Sequence, residues 1–321
     1  MNQGPAAAAA PVSLSPERAG RLMKLATYAS VSVALVLIAA KFAAWLATDA
    51  VSMLSTLIDS LLDAGASLVN LVAVRQALQP ADYEHRFGYG KAEPLAGLAQ
   101  AAFICGSAAF LLMEAVERFV HPREIENTDF GYAVMVFAIV VTIALVVFQR
   151  SVVRRTGSTA IRADSLHYSM DVMVNVSVIV SLLLATNAGW LWADPLFAIV
   201  IAGYIVRGAM SIGRQSLDLL MDRELSEEDR RRIHDLAVSH PGVLDVHDMR
   251  TRSSGQNQFI QLHLEMDGKI SLIEAHEISE EVMDRIEGAF PNAEVIIHED
   301  PEGVDESRDT FKAESPSPLG K

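Results

Sequence analysis

Long apolar segments separated by short polar connections dominate the first 220 residues of the chain. Six of these segments are about as long as the helix needed to cross the hydrocarbon core of a bilayer. They cover residues 25–46, 51–73, 94–116, 130–148, 166–185 and 193–212. The pattern therefore predicts a mostly α-helical membrane protein with six transmembrane helices.

The hydrophobic pattern after the sixth segment is that of a small, charged soluble domain. A predicted amphipathic helix with Ser226 as its N-cap comes first, and two strands joined by a polar turn at residues 253–257 follow. In the second strand Ile260, Leu262 and Leu264 share one face. A second helix and a third strand complete the order α-β-β-α-β, which is compatible with a ferredoxin-like α+β fold.

The distribution of basic residues predicts how the chain lies in the membrane. One side of the predicted spans carries Arg18, Arg21, Lys24, Arg75, Arg86, Lys91, Arg150, Arg154, Arg155, Arg162, Arg214 and Arg223. The connections on the other side hold only Arg118 and Arg123. By the positive-inside rule both termini are expected in the cytoplasm of a multi-pass plasma-membrane protein.

These patterns divide the chain into four parts. They are a disordered N-terminal segment (1–20), a six-helix transmembrane domain (21–222), a cytoplasmic domain (223–302) and a disordered tail (303–321). We expect disorder at the ends because the first is rich in alanine and proline and the second is polar.

Four ionisable residues inside two predicted spans suggest a metal site. Asp59 and Asp63 are four residues apart in the second span, and His167 and Asp171 are four apart in the fifth. On a helix each pair lies on one face, and such residues are too costly in a membrane to be retained without a function. Three carboxylates and one imidazole form a ligand set suited to Zn²⁺ or a similar divalent ion.

The ligand chemistry also suggests what drives transport. Metal and protons compete for the same carboxylates and imidazole, so one site can exchange one for the other. The chain has no Walker-type ATP motif, and its single cysteine, Cys105, excludes a disulfide or a thiolate cluster within one chain. We therefore expect a proton-coupled metal antiporter. By ligand type alone Cd²⁺, Fe²⁺, Co²⁺ and Mn²⁺ remain alternatives to Zn²⁺.

Several motifs resemble those of the cation diffusion facilitator family, in its bacterial branch that exports zinc and ferrous iron. The two half-sites DSLLD and HYSMD match, and so do HRFGYGKAEPLAGLAQ, VRRTGSTAIRADSLHY, HDMRTRSSG, FIQLHLEMD and VIIHEDP, within residues 20–302. The resemblance implies a homodimeric zinc/proton antiporter with six transmembrane helices and a cytoplasmic C-terminal domain. It implies no cofactor, with Zn²⁺ as substrate and as a structural or regulatory ion, and no nucleic-acid partner.

The resemblance also implies two further metal sites. One is a loop site built from an aspartate and two histidines, at which this chain has Asp82 and His85 but Tyr89 in place of the second histidine. Because tyrosine is a poor zinc ligand at neutral pH, we expect this site to be weakened or absent. The other is a binuclear cytoplasmic site in which Asp300 bridges two ions. Its implied histidine ligands are His247 and His263 for one ion, and His276 and His298 for the other.

Two other function classes fit parts of the pattern. An intramembrane metallohydrolase is disfavoured because the chain lacks an H-E-x-x-H motif and because four protein ligands leave no open coordination position. A membrane-anchored metal sensor is disfavoured because an anchor does not need ionisable pairs inside the membrane. A transporter, not an enzyme, is the prediction.

Overall fold

The computed structural model describes residues 15–48, 51–120, 129–188, 190 and 192–304. These residues divide into two compact units at the junction of Leu220 and Met221. Residues 1–14 and 305–321, most of the two ends expected to be disordered, lie outside the described residues. The first helix begins at Pro16, inside the segment expected to be disordered, and proline is favoured at the first position of a helix.

The first unit contains six long helices. They are α1 (Pro16–Thr48), α2 (Val51–Ala77), α3 (Ala92–Val120), α4 (Asp129–Thr156), α5 (Thr159–Ala188) and α6 (Ala193–Leu220). All six are long and apolar enough to cross a membrane, which confirms the predicted number of spans. The chain is therefore a multi-pass membrane protein.

Helix α5 is the centre of this unit because it packs against each of the other five helices. Its buried Ala163 and Met170 join a cluster with α3 and α6, and its buried Ala160 and Ile161 join a cluster with α1, α2 and α4. Small residues such as these alanines let neighbouring helices approach closely. Side chains on α5 are consequently surrounded by the rest of the bundle.

Large apolar side chains also cover the outside of the first unit. Leu35, Val69, Val140 and Val200, on four different helices, are each about 60% exposed. An apolar belt of this kind is unfavourable in water and suits a surface that faces lipid. The outward pattern thus agrees with six membrane-spanning helices.

The second unit has the predicted order of elements. It comprises α7 (Glu227–Val238), β1 (Asp245–Ser254), β2 (Asn257–Met266), α8 (Leu272–Ala289) and β3 (Ala293–Pro301). The Ser226 side chain caps α7 as predicted, by accepting a hydrogen bond from the backbone N–H of Asp229. Ser271 and Glu274 form a reciprocal capping box at the start of α8.

The three strands form one sheet in the order β1-β2-β3. Strands β1 and β2 are antiparallel, whereas β2 and β3 are parallel and are connected through α8. On one face of β2, Ile260, Leu262, Leu264 and Met266 are all buried in a core shared with α7 and α8. This face is the one that the sequence predicts. Together the two units confirm the predicted fold class.

The close packing of α5 against α6 generates a stability prediction. A Cβ atom added at Gly208 of α6 would lie 2.8 Å from a methyl carbon of Leu166, whereas one added at Gly203 would meet nothing within 4 Å. We expect Gly208→Val to lower the free energy of unfolding by about 1–3 kcal/mol, the usual cost of overpacking. Thermal unfolding in detergent measures the effect. Gly203→Val is the matched control, and an equal loss in both variants would contradict the described packing.

Candidate metal-binding sites

Helices α2 and α5 bring three of the four predicted intramembrane ligands together. Asp63 Oδ1 lies 2.9 Å from His167 Nε2. Ligand atoms of Asp63, His167 and Asp171 all lie within 4.8 Å of one another. His167 is almost fully buried, whereas the side chain of Asp63 is 23% exposed. The i, i+4 spacing on α5 places His167 and Asp171 on the face that meets α2.

Asp59, the fourth predicted ligand, lies one turn away from Asp63 on α2 and is exposed. It does not belong to the group of three ligand atoms that the described residues form here. His167 has one further nitrogen, Nδ1, which is buried and has no hydrogen-bond partner among the described residues. The three grouped side chains offer one nitrogen and two carboxylates, a donor set that fits a divalent ion.

A further carboxylate, not anticipated from the sequence, lies one turn from His167 on α5. Asp164 is fully buried and accepts hydrogen bonds from Ser30 of α1 (2.5 Å), Gln149 of α4 (2.7 Å) and Gln100 of α3 (3.3 Å). A buried carboxylate requires such partners, and these ones join three helices to α5. The network therefore holds α5 in place close to the candidate site.

Lys41 of α1 is another ionisable residue that sequence analysis did not single out. Its ammonium group donates hydrogen bonds to α2. A signal for it exists in the sequence, because Lys41 is the only charged residue in the predicted first span. For Asp164 the signal is weaker, since one of its partners, Ser30, lies 134 residues away along the chain.

The loop between α2 and α3 brings the predicted pair Asp82 and His85 close together. His85 Nδ1 lies 3.6 Å from Asp82 Oδ1, and the backbone N–H of His85 donates to the same oxygen at 2.7 Å. The other carboxylate oxygen accepts a hydrogen bond from the Tyr89 hydroxyl at 2.6 Å. This bond and the backbone bond from His85 hold the pKa of Asp82 below its usual value, and the same carboxylate raises the pKa of Tyr89. Tyr89 thus forms a hydrogen bond with the Asp82 carboxylate but does not supply a good metal ligand.

The sheet of the second unit brings four of the five predicted cytoplasmic ligands together. His247, His263 and His298 face one another across β1, β2 and β3, because the strand register pairs His263 with each of the other two. Asp300 lies two residues beyond His298, so its side chain points to the same face. Its oxygens lie 2.7 Å from His263 Nδ1, 3.0 Å from His298 Nε2 and 3.2 Å from His247 Nε2.

Asp300 is the centre of this cluster. Burial alone would raise the pKa of Asp300, but the hydrogen bond from His263 and the neighbouring histidines hold it below its usual value. The carboxylate is therefore ionised at neutral pH and available as a metal ligand. His276, the fifth predicted ligand, is an exposed residue of α8. A further group, Asp245, His247 and Glu265, also has ligand atoms within 4.8 Å of one another.

Comparison with known families decides the family of the chain. A model described as the cation efflux transmembrane domain matches residues 27–221, and one described as the cation efflux protein cytoplasmic domain matches residues 225–302. The chain belongs to the cation efflux family. This membership confirms the resemblance found in the sequence and places the chain among transporters, not enzymes.

Relatives in this family match over nearly their whole length. The cation-efflux pump FieF of Shewanella oneidensis is 50% identical over 283 residues, which cover 88% of this chain and 95% of the relative. FieF of Salmonella arizonae is 47% identical over 282 residues, covering 88% and 94%. A solved structure described as the zinc form of CzrB is 32% identical but covers only 26% of this chain and 98% of its own, with a TM-score of 0.25.

The geometry of the loop generates a gain-of-function prediction. Tyr89→His would replace the hydroxyl that bonds Asp82 with an imidazole beside Asp82 and His85, and so complete the implied ligand set of one aspartate and two histidines. We expect this variant to bind about one more Zn²⁺ per protomer than the wild type, because one carboxylate and two imidazoles form a zinc-binding set. Equilibrium dialysis with metal analysis measures the difference.

Tyr89→Phe is the control for this experiment. It removes the hydrogen bond to Asp82 and adds no ligand, so its zinc content should equal that of the wild type. Equal zinc content in Tyr89→His and Tyr89→Phe would show that the loop does not hold the three side chains in a metal-binding arrangement.

Proposed function

We propose that the protein exports Zn²⁺, or a related divalent ion, from the cytoplasm in exchange for protons. The observation that carries the proposal is the contact of Asp63 on α2 with His167 on α5, beside Asp171, inside two helices that can span a membrane. Close relatives named as cation-efflux pumps support the same direction of transport. Asp59 would complete the ligand set by a small rearrangement of α2.

Proton coupling follows from the chemistry of these ligands. A carboxylate or imidazole must lose its proton to bind a metal ion, so metal and protons compete for the same site. Protons that enter from the outside therefore displace the ion and protonate the ligands as the ion leaves. Alternating access requires two arrangements of the bundle that open the site to opposite sides of the membrane. Helix α5 is suited to couple them because it contacts all five other helices.

The choice of Zn²⁺ rests on the donor set. One imidazole with two or three carboxylates and no thiolate suits Zn²⁺ and tolerates Cd²⁺, Fe²⁺ and Co²⁺. Metal selectivity is consequently a matter of geometry more than of ligand type, and the transport assay has to compare the ions directly.

We further propose that the protein works as a homodimer in the plasma membrane, with both termini and the second unit in the cytoplasm. Zinc bound at His247, His263, His298 and Asp300 would favour one arrangement of the dimer and thereby change the rate of transport, by linkage. His276 would join this site only if α8 or its side chain moved towards Asp300.

Transport into proteoliposomes tests the proposal. Dyes enclosed in the vesicles report metal and pH together, with Zn²⁺, Cd²⁺, Fe²⁺ and Mn²⁺ added in turn under a fixed pH gradient. We expect Zn²⁺ entry coupled to proton exit. Because loss of a residue that only supports a metal ligand already costs about 10–100-fold, Asp63→Asn should slow Zn²⁺ entry at least about 10-fold.

Two further variants make this assay specific. Glu228→Gln removes an exposed carboxylate of α7 and should leave transport unchanged, whereas Asp59→Asn tests whether the fourth predicted ligand takes part. Zinc binding without movement of any divalent ion would overturn the transporter proposal in favour of a metal sensor.

The proposed regulation by zinc is tested separately. A variant with His263→Ala and Asp300→Ala should lose the stimulation of transport by zinc, and intact stimulation would contradict the proposed regulation.

A further inference from the structure

Lys41 places a positive charge inside the membrane unit, beside the helix that carries Asp59 and Asp63. It lies about two turns before the end of α1 and is half-buried. Its Nζ donates hydrogen bonds to Ser60 Oγ at 2.6 Å and to the Thr56 carbonyl oxygen at 3.1 Å, both on α2. The ammonium group is therefore fixed against α2 at the level of the residue that follows Asp59.

The direction of this side chain distinguishes it from an ordinary membrane lysine. A lysine near the end of a membrane helix commonly extends its ammonium towards the headgroups. Lys41 instead bonds to a buried serine and to a backbone carbonyl of the neighbouring helix. An ionisable group inside a membrane span that is held in this way suggests a functional role.

This role concerns the three carboxylates of the proposed transport site. The hydrogen bond to Ser60 Oγ places the ammonium beside the residue that follows Asp59 and about one turn from Asp63 on the same helix. The described contacts include no hydrogen bond from Lys41 to a carboxylate of the site. At this place the ammonium changes the electrostatic potential at the site, and its hydrogen bonds go to Thr56 and Ser60 and not to a metal ligand.

We propose that Lys41 is a fixed countercharge that sets the affinity of the transport site for a divalent ion. The inference rests on the proposed function and deepens it. The three carboxylates carry three negative charges, and a divalent ion with the Lys41 ammonium carries three positive ones. With His167 neutral, the loaded site therefore has no net charge, which a low-dielectric surrounding favours.

Two consequences follow for binding and release. The fixed positive charge repels the metal ion and so weakens its binding, which lets the ion leave on the far side of the membrane. Without this charge the site would carry a net negative charge when loaded and would hold the ion more tightly. Lys41 thus acts through its charge and not as a metal ligand. It lowers the affinity of the site for the ion and thereby speeds release of the ion in each transport cycle.

Metal binding and transport by a matched set of variants test this inference. Lys41→Met removes the charge and suits a membrane span, and Lys41→Arg keeps the charge. Lys24→Met makes the same chemical change on α1, about 25 Å away along the helix. All are compared in full-length protein carrying His263→Ala and Asp300→Ala, so that the cytoplasmic cluster does not contribute to the Zn²⁺ titration in lipid nanodiscs.

For Lys41→Met we expect a Kd for Zn²⁺ lower by about tenfold or more, the effect of one nearby unit charge on a divalent ion at an intermediate dielectric constant. In proteoliposomes KM and kcat should both fall, because the ion binds more tightly and leaves more slowly. Lys41→Arg and Lys24→Met should match the parent protein in all three values.

An unchanged or raised Kd in Lys41→Met would overturn the inference. So would equal behaviour of Lys41→Met and Lys41→Arg, since that result would assign Lys41 a role in packing and not in charge. A parent protein that binds Zn²⁺ but transports none would contradict the proposed function, and the Kd values would still decide the role of Lys41.

Discussion

The contact between Asp63 and His167 is the interaction on which the proposed transport site depends. It joins α2 to α5 inside two helices that are long and apolar enough to span a membrane, where an unpaired charge costs several kcal/mol, so each partner offsets the cost of the other. The same contact places Asp171 beside them, because it lies one turn farther along α5. A pair that is stable without metal and that, together with Asp171, offers three ligand atoms to a metal ion is suited to a site that is loaded and emptied in each transport cycle.

The packing of the bundle positions these ligands. Helix α5 contacts every other helix of the first unit, and Asp164 ties it to α1, α3 and α4 through buried hydrogen bonds. The cluster in the second unit is built differently, from histidines aligned across three adjacent strands around Asp300. Helix periodicity creates one site and strand register creates the other, although both use carboxylate and imidazole ligands.

Much of this arrangement follows from local patterns in the sequence. The i, i+4 spacing within each ligand pair and the alternation of apolar residues along β2 are local features of the sequence. The six spans, the α-β-β-α-β order and the candidate ligands could therefore be predicted. Contacts between distant segments could not be predicted in the same way. The hydrogen-bond partners of Asp164 lie on three other helices. Lys41 forms its hydrogen bond with Ser60 only because α1 packs against α2. The exposed positions of Asp59 and His276 also depend on helix rotation, which spacing does not determine.

X-ray absorption at the zinc edge tests the central claim most directly, because it identifies the atoms around the bound ion. The sample is Zn²⁺-loaded full-length protein with His263→Ala and Asp300→Ala, in which the transport site is the one expected to retain zinc. We expect one imidazole nitrogen and two or three carboxylate oxygens at about 2.0–2.2 Å from the zinc, and loss of the signal in Asp63→Asn. A shell with two or more imidazoles, or the same spectrum in Asp63→Asn, would contradict it.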